Sequence, residues 1–280
     1  MAGNLRELKI IDHRLCKGDG TPYPFKACNN TGGLIEHKYL VIHYTAGPTA
    51  KSAINSFCSE NGNASAHVVI DRNGEITQLV PFNRVAWHAG ISSWDGLTGL
   101  NNYSIGIELV NAGRLEKVGD KWRAWFGKLY DPSDIIELIH KNETTVTGWQ
   151  TYPQEQLEAA LELSKLLVQE YHLLDVIGHE DIAPGRKSDP GPAFPMNNFR
   201  STVMGRADDI DVQFITTTEL NIRTGPGSEF PKIIETPLPS GTTVEIINSK
   251  GSWRFVDVLE KVNDAMDLQG WVHGRYLRRK

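Results

Sequence analysis

Two histidines close short apolar runs: His43 follows Tyr39–Ile42 in KYLVIHYTAG, and His179 follows DVIG. An imidazole at the end of a buried strand needs a strong partner. Strands of one sheet can bring both rings to one point above the sheet edge. Asp189 lies ten residues beyond His179, across GHEDIAPGRKSDPGPAFP, and can return to the same point. Two imidazoles and one carboxylate, with a fourth position for water, is the composition of a catalytic zinc site. No HExxH motif is present, so the helical metalloprotease arrangement is excluded. Glu108, inside SIGIELV, is an acid that is costly to bury unless paired or functional. Spacing alone does not force His43 and His179 together.

These residues need elements to position them. The four prolines of the 178–195 segment forbid a helix and predict a shaped, rigid loop, the kind of segment that carries binding and catalytic groups. Tyr39–Ile42 reads as a strand buried on both faces. Ala50, Ala53, Ile54, Phe57 and Cys58 form a helical stripe, with Thr49 as N-cap and Gly62 as the residue after its end. SAHVVIDRNGEITQLVP predicts two strands joined at Asn73-Gly74, and YSIGIELVN a further strand. TYPQEQLEAALELSKLLVQEY predicts a helix with a Thr151–Gln154 capping box, burying Leu157, Ala160, Leu161, Leu167, Val168 and Tyr171. Alternating strands and helices predict an α/β layer structure with a mixed central sheet and flanking helices.

Residues 113–150 fit neither pattern. They carry three tryptophans, predict a short helix over Asp134–His140, and read as an insertion over the sheet. After about residue 206 the texture changes. A polar linker at 207–213 leads into short strands punctuated by Gly, Pro and Asn, which predict a small all-β domain over 214–280.

Composition narrows the function classes. A chain of 280 residues, 40% hydrophobic and 22% charged, has the make-up of an ordinary soluble globular protein with room for two domains. A formal charge of −5 offers no electrostatic case for nucleic acid. No apolar run reaches the roughly 20 residues of a membrane span. The N-terminal stretch has no apolar signal-peptide core, so the expectation is a cytoplasmic protein, or one exported by phage lysis or a secretion machine. Cys16, Cys28 and Cys58 are too few and too scattered for a metal cluster. They read as structural thiols, with a Cys16–Cys28 disulfide left open.

VIHYTAG, AHVVIDRNGEITQLVPFNRVAWHAG, NNYSIGIELVN and GHEDIAPGRKSDPGPAFP, in that order, resemble the zinc-dependent N-acetylmuramoyl-L-alanine amidases, in particular their AmpD-like branch on the peptidoglycan recognition protein fold. The resemblance covers roughly residues 35–200 apart from the insertion, giving an amidase domain over 1–206. It implies Zn2+ as cofactor, held by His43, His179 and Asp189. It implies Glu108 as catalytic base and Lys187 as the group that steadies the developing oxyanion. Some phage relatives carry a tyrosine where this chain has Ala66, so the pattern here is the glutamate version. Trp87, His88, Asn111 and Arg186 are candidates for substrate contact.

The implied substrate is peptidoglycan or muropeptide, cut between N-acetylmuramic acid and L-alanine. A recognition protein that has lost catalysis is the alternative, although all five implied residues are present. ELNIRTGPGSEF and GWVHGRYL resemble a bacterial SH3 domain, which implies a cell-wall ligand. Trp253, Phe255, Trp271 and Tyr276 could line its groove, though aromatics in so small a barrel are more often core.

Overall fold

The structure is a computed structural model and describes residues 7–60, 62–205, 213–262 and 268–280. It divides into two compact units, one holding residues up to Ile136 with Gly148–Phe194, the other Glu137–Thr147 with Pro195–Lys280. The expected linker, Gln213 excepted, lies outside the described residues.

The first unit is built on a five-stranded sheet in the order Asp175–Gly178, Tyr39–Tyr44, Ser104–Leu109, Val68–Ile70, Ile76–Gln78. The first four strands run parallel, and the Asn73-Gly74 turn returns the last antiparallel, so the sheet is mixed as expected. Leu40, Val41, Ile42, Ile105 and Ile107 are fully buried, which is why these strands read as continuous apolar runs. Register places Glu108 opposite His43, and Gly178 opposite Ile42. His43, Glu108 and His179 therefore reach the same carboxyl edge of adjacent parallel strands, where open α/β sheets bind their ligands.

Helix Ala50–Phe57 begins as predicted: the Thr49 hydroxyl accepts from the Ser52 N–H at 3.1 Å, and the Ser52 hydroxyl answers the Thr49 N–H. It ends at Cys58, short of Gly62, and its apolar stripe packs on Val69, Leu79 and Val80. Cys28 joins the same cluster and is disulfide-bonded to Cys58, while Cys16 is a buried free thiol. The Cys16–Cys28 pairing is therefore replaced by one that pins a loop to a helix end. Bridging residues 30 apart is worth about 3–4 kcal/mol in the chain-entropy view.

Helix Gln154–Tyr171 differs from expectation in two respects. Its N-cap is Pro153, because Thr151 Oγ1 donates to Asp134 O instead of capping the helix. Its buried face centres on Gln156, Ala159, Ala160, Leu163, Ser164 and Leu167, leaving Leu157, Leu161, Val168 and Tyr171 half-buried. The Gln156 amide explains the rotation, since it donates to the Ile70 and Val110 carbonyls at 3.0 and 3.1 Å and satisfies two buried acceptors.

The insertion is a five-stranded sheet in the order Leu129–Tyr130, Lys121–Arg123, Arg114–Val118, Val146–Gln150, Ile135–Ile139, the first four of which pair antiparallel. The predicted helix over Asp134–His140 is instead a 3-10 turn, Pro132–Asp134, followed by that last strand. The β-branched run of Ile135 and Ile136 favours the extended form once a partner strand is available. In the C-terminal unit five antiparallel strands run in the order Gln269–His273, Trp253–Val258, Thr243–Lys250, Gln213–Thr216, Leu277–Arg279. They close on Ile222, Leu238, Val244, Val256 and Val272, giving the all-β domain that the punctuation predicted. Among the described residues, no helix is long and apolar enough to cross a membrane.

Candidate metal centre

His43 Nδ1, His179 Nδ1 and Asp189 Oδ2 lie 2.9 Å from one another, and all three residues are buried. Their backbones arrive separately: His43 on a central strand, His179 at the start of a one-turn helix, His179–Ile182, and Asp189 on the proline-rich stretch that follows. The segment is thus not helix-free as expected, because its first proline comes only at Pro184. The loop is tied back by the Glu180 N–H donating to Asp189 O at 2.8 Å, and by Asp181, whose carboxylate accepts from the Gly178 N–H at 2.8 Å.

Backbone carbonyls set the tautomers. His179 Nε2 lies 3.1 Å from Ala89 O, so its proton belongs on Nε2 and the Nδ1 lone pair faces the centre. His43 is reached through a relay. His88 Nε2 faces Ser104 O at 3.0 Å and must donate, which leaves His88 Nδ1 as the acceptor for His43 Nε2–H at 2.9 Å. The His43 Nδ1 lone pair then also points inward. Two lone pairs and a carboxylate oxygen at these separations, with no proton between the two nitrogens, repel unless a cation lies among them. The donor set fits zinc, which takes imidazole nitrogen and carboxylate oxygen.

Electrostatics agree. Burial, then repulsion from His179, brings the His43 pKa down to about 4 against the opposing pull of Asp189. For Asp189 burial pulls upward, yet the facing His179 and His43 win and its carboxyl stays below the ordinary range. Glu108 lies behind this centre, almost fully buried. Burial, reinforced by Asp189 and opposed by Lys187, raises its pKa to about 8. Its Oε2 has no hydrogen-bond partner among the described residues. A buried carboxylate oxygen without a partner marks a place for a water or a reacting group. Lys187 is exposed at the same loop, near enough for its charge to act on both Glu108 and His43.

The four substrate-contact candidates separate. Trp87 stands at the surface, 39% exposed, with its backbone N–H on Ser65 Oγ. His88 is buried behind His43, with its Nδ1 facing His43 Nε2 at 2.9 Å, and so positions that ring. Asn111 is also buried. Its amide donates to Gln150 O and Thr151 O while its carbonyl accepts from the Gly113 N–H, which makes it a clamp on the insertion root. The Arg186 guanidinium donates to Ala89 O at 2.8 Å and Ile91 O at 2.6 Å, holding the Trp87–Ile91 loop against His179. His67 is also buried, with Nε2 on Arg84 O and Nδ1 accepting from the Gly106 N–H, which commits both ring nitrogens to the backbone.

The His88 relay was missed at sequence level, although one signal for it exists. Gly106 interrupts a buried apolar strand, and a Cβ there would lie 2.5 Å from the His88 ring. A glycine inside such a strand often marks close approach by another group. His88→Ala leaves the His43 Nε2–H buried and unpaired. Zinc affinity is expected to fall by about 10–100-fold, the usual cost of losing an outer-shell partner. Chelator competition on the folded variant measures it, and unchanged affinity would disprove the relay.

The insertion braces the centre. Tyr44, next to His43, bonds the Ser188 hydroxyl at 2.8 Å. Gly113, at the insertion root, adopts φ 70°, and a Cβ there would sit 2.6 Å from the Tyr44 ring. Buried Trp149 packs over Gly191, where a Cβ would meet its ring at 2.9 Å, and the Tyr152 hydroxyl donates to Pro190 O at 2.7 Å.

Fold and site together define a His-His-Asp donor group that could hold a metal ion on the carboxyl edge of an α/β sheet, with a buried glutamate beside it. The chain belongs to the N-acetylmuramoyl-L-alanine amidase family (Amidase_2), which matches residues 34–192. It is 36% identical over 181 residues to N-acetylmuramoyl-L-alanine amidase AmiD of Escherichia coli (strain K12), covering 61% of this chain and 55% of that protein. To 1,6-anhydro-N-acetylmuramyl-L-alanine amidase AmpD of Salmonella typhimurium (strain SL1344) it is 33% identical over 141 residues, covering 50% of this chain and 57% of AmpD. The matched segments thus span little more than half the length of these relatives. A solved structure of an AmpD selenomethionine derivative superposes with a TM-score of 0.50 at 23% identity, covering 69% of this chain and 98% of that one, and is alike in fold.

Proposed function

We propose that the chain is a zinc-dependent N-acetylmuramoyl-L-alanine amidase that hydrolyses the amide between the muramyl lactyl group and L-alanine in peptidoglycan or muropeptides. The observation that carries this reading is the convergence of His43, His179 and Asp189 beside the unpartnered Oε2 of buried Glu108. The names and families of the relatives supply the substrate class.

In this reading His43, His179 and Asp189 hold the ion. Zinc held there would supply Lewis acidity, enough to lower the pKa of a water to about 7 and to polarise a carbonyl. Glu108, ionised once a cation beside it offsets the burial that raises its metal-free pKa to about 8, accepts a proton through Oε2 from the attacking water and returns it to the leaving L-alanine nitrogen. The Lys187 ammonium, free of hydrogen bonds among the described residues, faces the charge that grows on the carbonyl oxygen. His88, Ala89 and Arg186 keep the two imidazoles oriented. The sharpest test is to digest purified sacculi and soluble anhydro-muropeptide side by side with the zinc-loaded protein. Release of stem peptides beginning at L-alanine, abolished by a chelator and restored by zinc, is the expected result. Binding without release of any peptide would instead establish a recognition protein.

For the C-terminal unit we propose a bacterial SH3-like fold with a cell-wall ligand. Its support is the small antiparallel sheet and a groove of about 790 Å³ lined by Trp253, His273, Tyr276, Glu219 and Glu229. Phe255 and Trp271 are buried and belong to the core, not the groove.

A further inference from the structure

The insertion carries one residue whose placement packing does not explain. Trp125 sits at the tip of the hairpin joining Lys121–Arg123 to Leu129–Tyr130, in a turn closed by the Gly127 N–H donating to Ala124 O at 2.8 Å. Such turns favour Gly, Asn, Asp and Ser, each for a conformational reason, and a tryptophan has none. Its neighbour Phe126 turns inward onto the cluster of Ala112, Leu115, Trp122 and Tyr130, which is enough to anchor the tip. Trp125 itself is 79% exposed.

The exposed ring is nevertheless fixed. Its indole N–H donates to Ala46 O at 2.7 Å, and it forms a T-shaped pair with the Phe126 ring at 5.7 Å between centroids. Ala46 is a non-glycine residue held at φ 47°, a conformation that carries a conformational cost. It lies three residues beyond His43, past the carboxyl end of the strand that delivers the metal ligand. The indole face is thus immobilised, bare, and beside the catalytic edge of the sheet. Immobilising an aromatic before a ligand arrives removes the ordering cost from binding.

We propose that Trp125 is a saccharide-stacking platform that extends the substrate groove along the glycan. The inference rests on the amidase reading in one respect: the muramyl sugar carries the scissile amide through its lactyl group, so in peptidoglycan the sugar chain passes near the metal edge. The axial C–H faces of β-linked pyranoses carry partial positive charge and stack on the negative face of an indole. The indole N–H is already committed to Ala46, so the contact is made by the ring face. The insertion thereby gives the site a preference for glycan over a single sugar.

Two measurements on the full zinc-loaded chain test this. The first compares kcat/KM for soluble glycan strands bearing stem peptides with that for N-acetylmuramyl-L-alanyl-D-isoglutamine. Trp125→Ala is expected to lower the ratio of the two by about tenfold, mainly through KM for the strands, with Trp125→Phe intermediate. An equal loss on both substrates, or an unchanged ratio, would overturn the proposal. The second is independent of hydrolysis: chitotetraose is titrated against wild type and Trp125→Phe while indole fluorescence is followed. A saturable change in wild type that the variant lacks supports the platform, and its absence overturns it. If wild type cleaves neither substrate, the amidase reading fails while the chitotetraose titration still decides the platform.

Discussion

Glu108→Gln is expected to lower kcat by about 10²–10⁴-fold while leaving zinc content unchanged. The substitution keeps the shape of the side chain and removes the one buried carboxyl oxygen that has no partner among the described residues. Because Glu108 is not one of the three converging donors, metal analysis of the variant should match wild type. Loss of zinc along with activity would place Glu108 in the coordination shell and refute its assignment as base.

The metal-free protein offers a second readout with a definite sign. Burial, and then Asp189, raise the Glu108 pKa from 4.5 to about 8. A raised folded pKa means that the folded state favours the proton. The resulting stability is present below about pH 4.5 and is lost as the pH climbs towards 8. In chelator, wild type and Glu108→Gln should therefore melt at similar temperatures near pH 4. Wild type should fall progressively below the variant up to pH 8, and the gap should then stay constant. A gap that does not vary with pH would show that this carboxyl is not buried as described.

Asp189→Ala should remove both zinc and hydrolysis. Asp189 is the only charged donor in the set, and without it two imidazoles remain. Zinc affinity is expected to fall by more than about 100-fold, beyond the loss of any outer partner. The contrast with Glu108→Gln is the diagnostic feature, for one variant is inactive with metal and the other inactive without it. Elemental analysis after gel filtration separates them. A variant that keeps a full equivalent of zinc would show that the carboxylate is not a ligand.

Much of this site could be read from residue order. The apolar runs ending in His43 and His179 read as strands whose ends can meet at one sheet edge, although spacing alone does not force them together. The sequence also showed Glu108 to be anomalous, because an acid within SIGIELV demands a reason. Of the tautomer relay the sequence carries only the hint of Gly106, since the relay depends on a loop histidine meeting a central strand 16 residues away at Ser104. Local pattern also misassigned Asp134–His140, where two isoleucines fit helix or strand and only a partner strand decides. The rotation of Gln154–Tyr171 had the same kind of cause: two carbonyls distant in sequence claimed the Gln156 amide. The cysteine pairing, too, was set by which thiol the helix end delivers.

Trp149 and Gly113 carry a practical consequence for anyone trimming this protein towards a minimal catalytic unit. Residues 113–150 look dispensable on paper, as an excursion between two family blocks. Excising them would withdraw the indole wall against which Gly191 leans and the glycine that lets Tyr44 reach Ser188. The loop bearing the carboxylate would then border a void. The excursion is part of the chassis, and a shortened chain would need a replacement filler at both places before its chemistry could be judged.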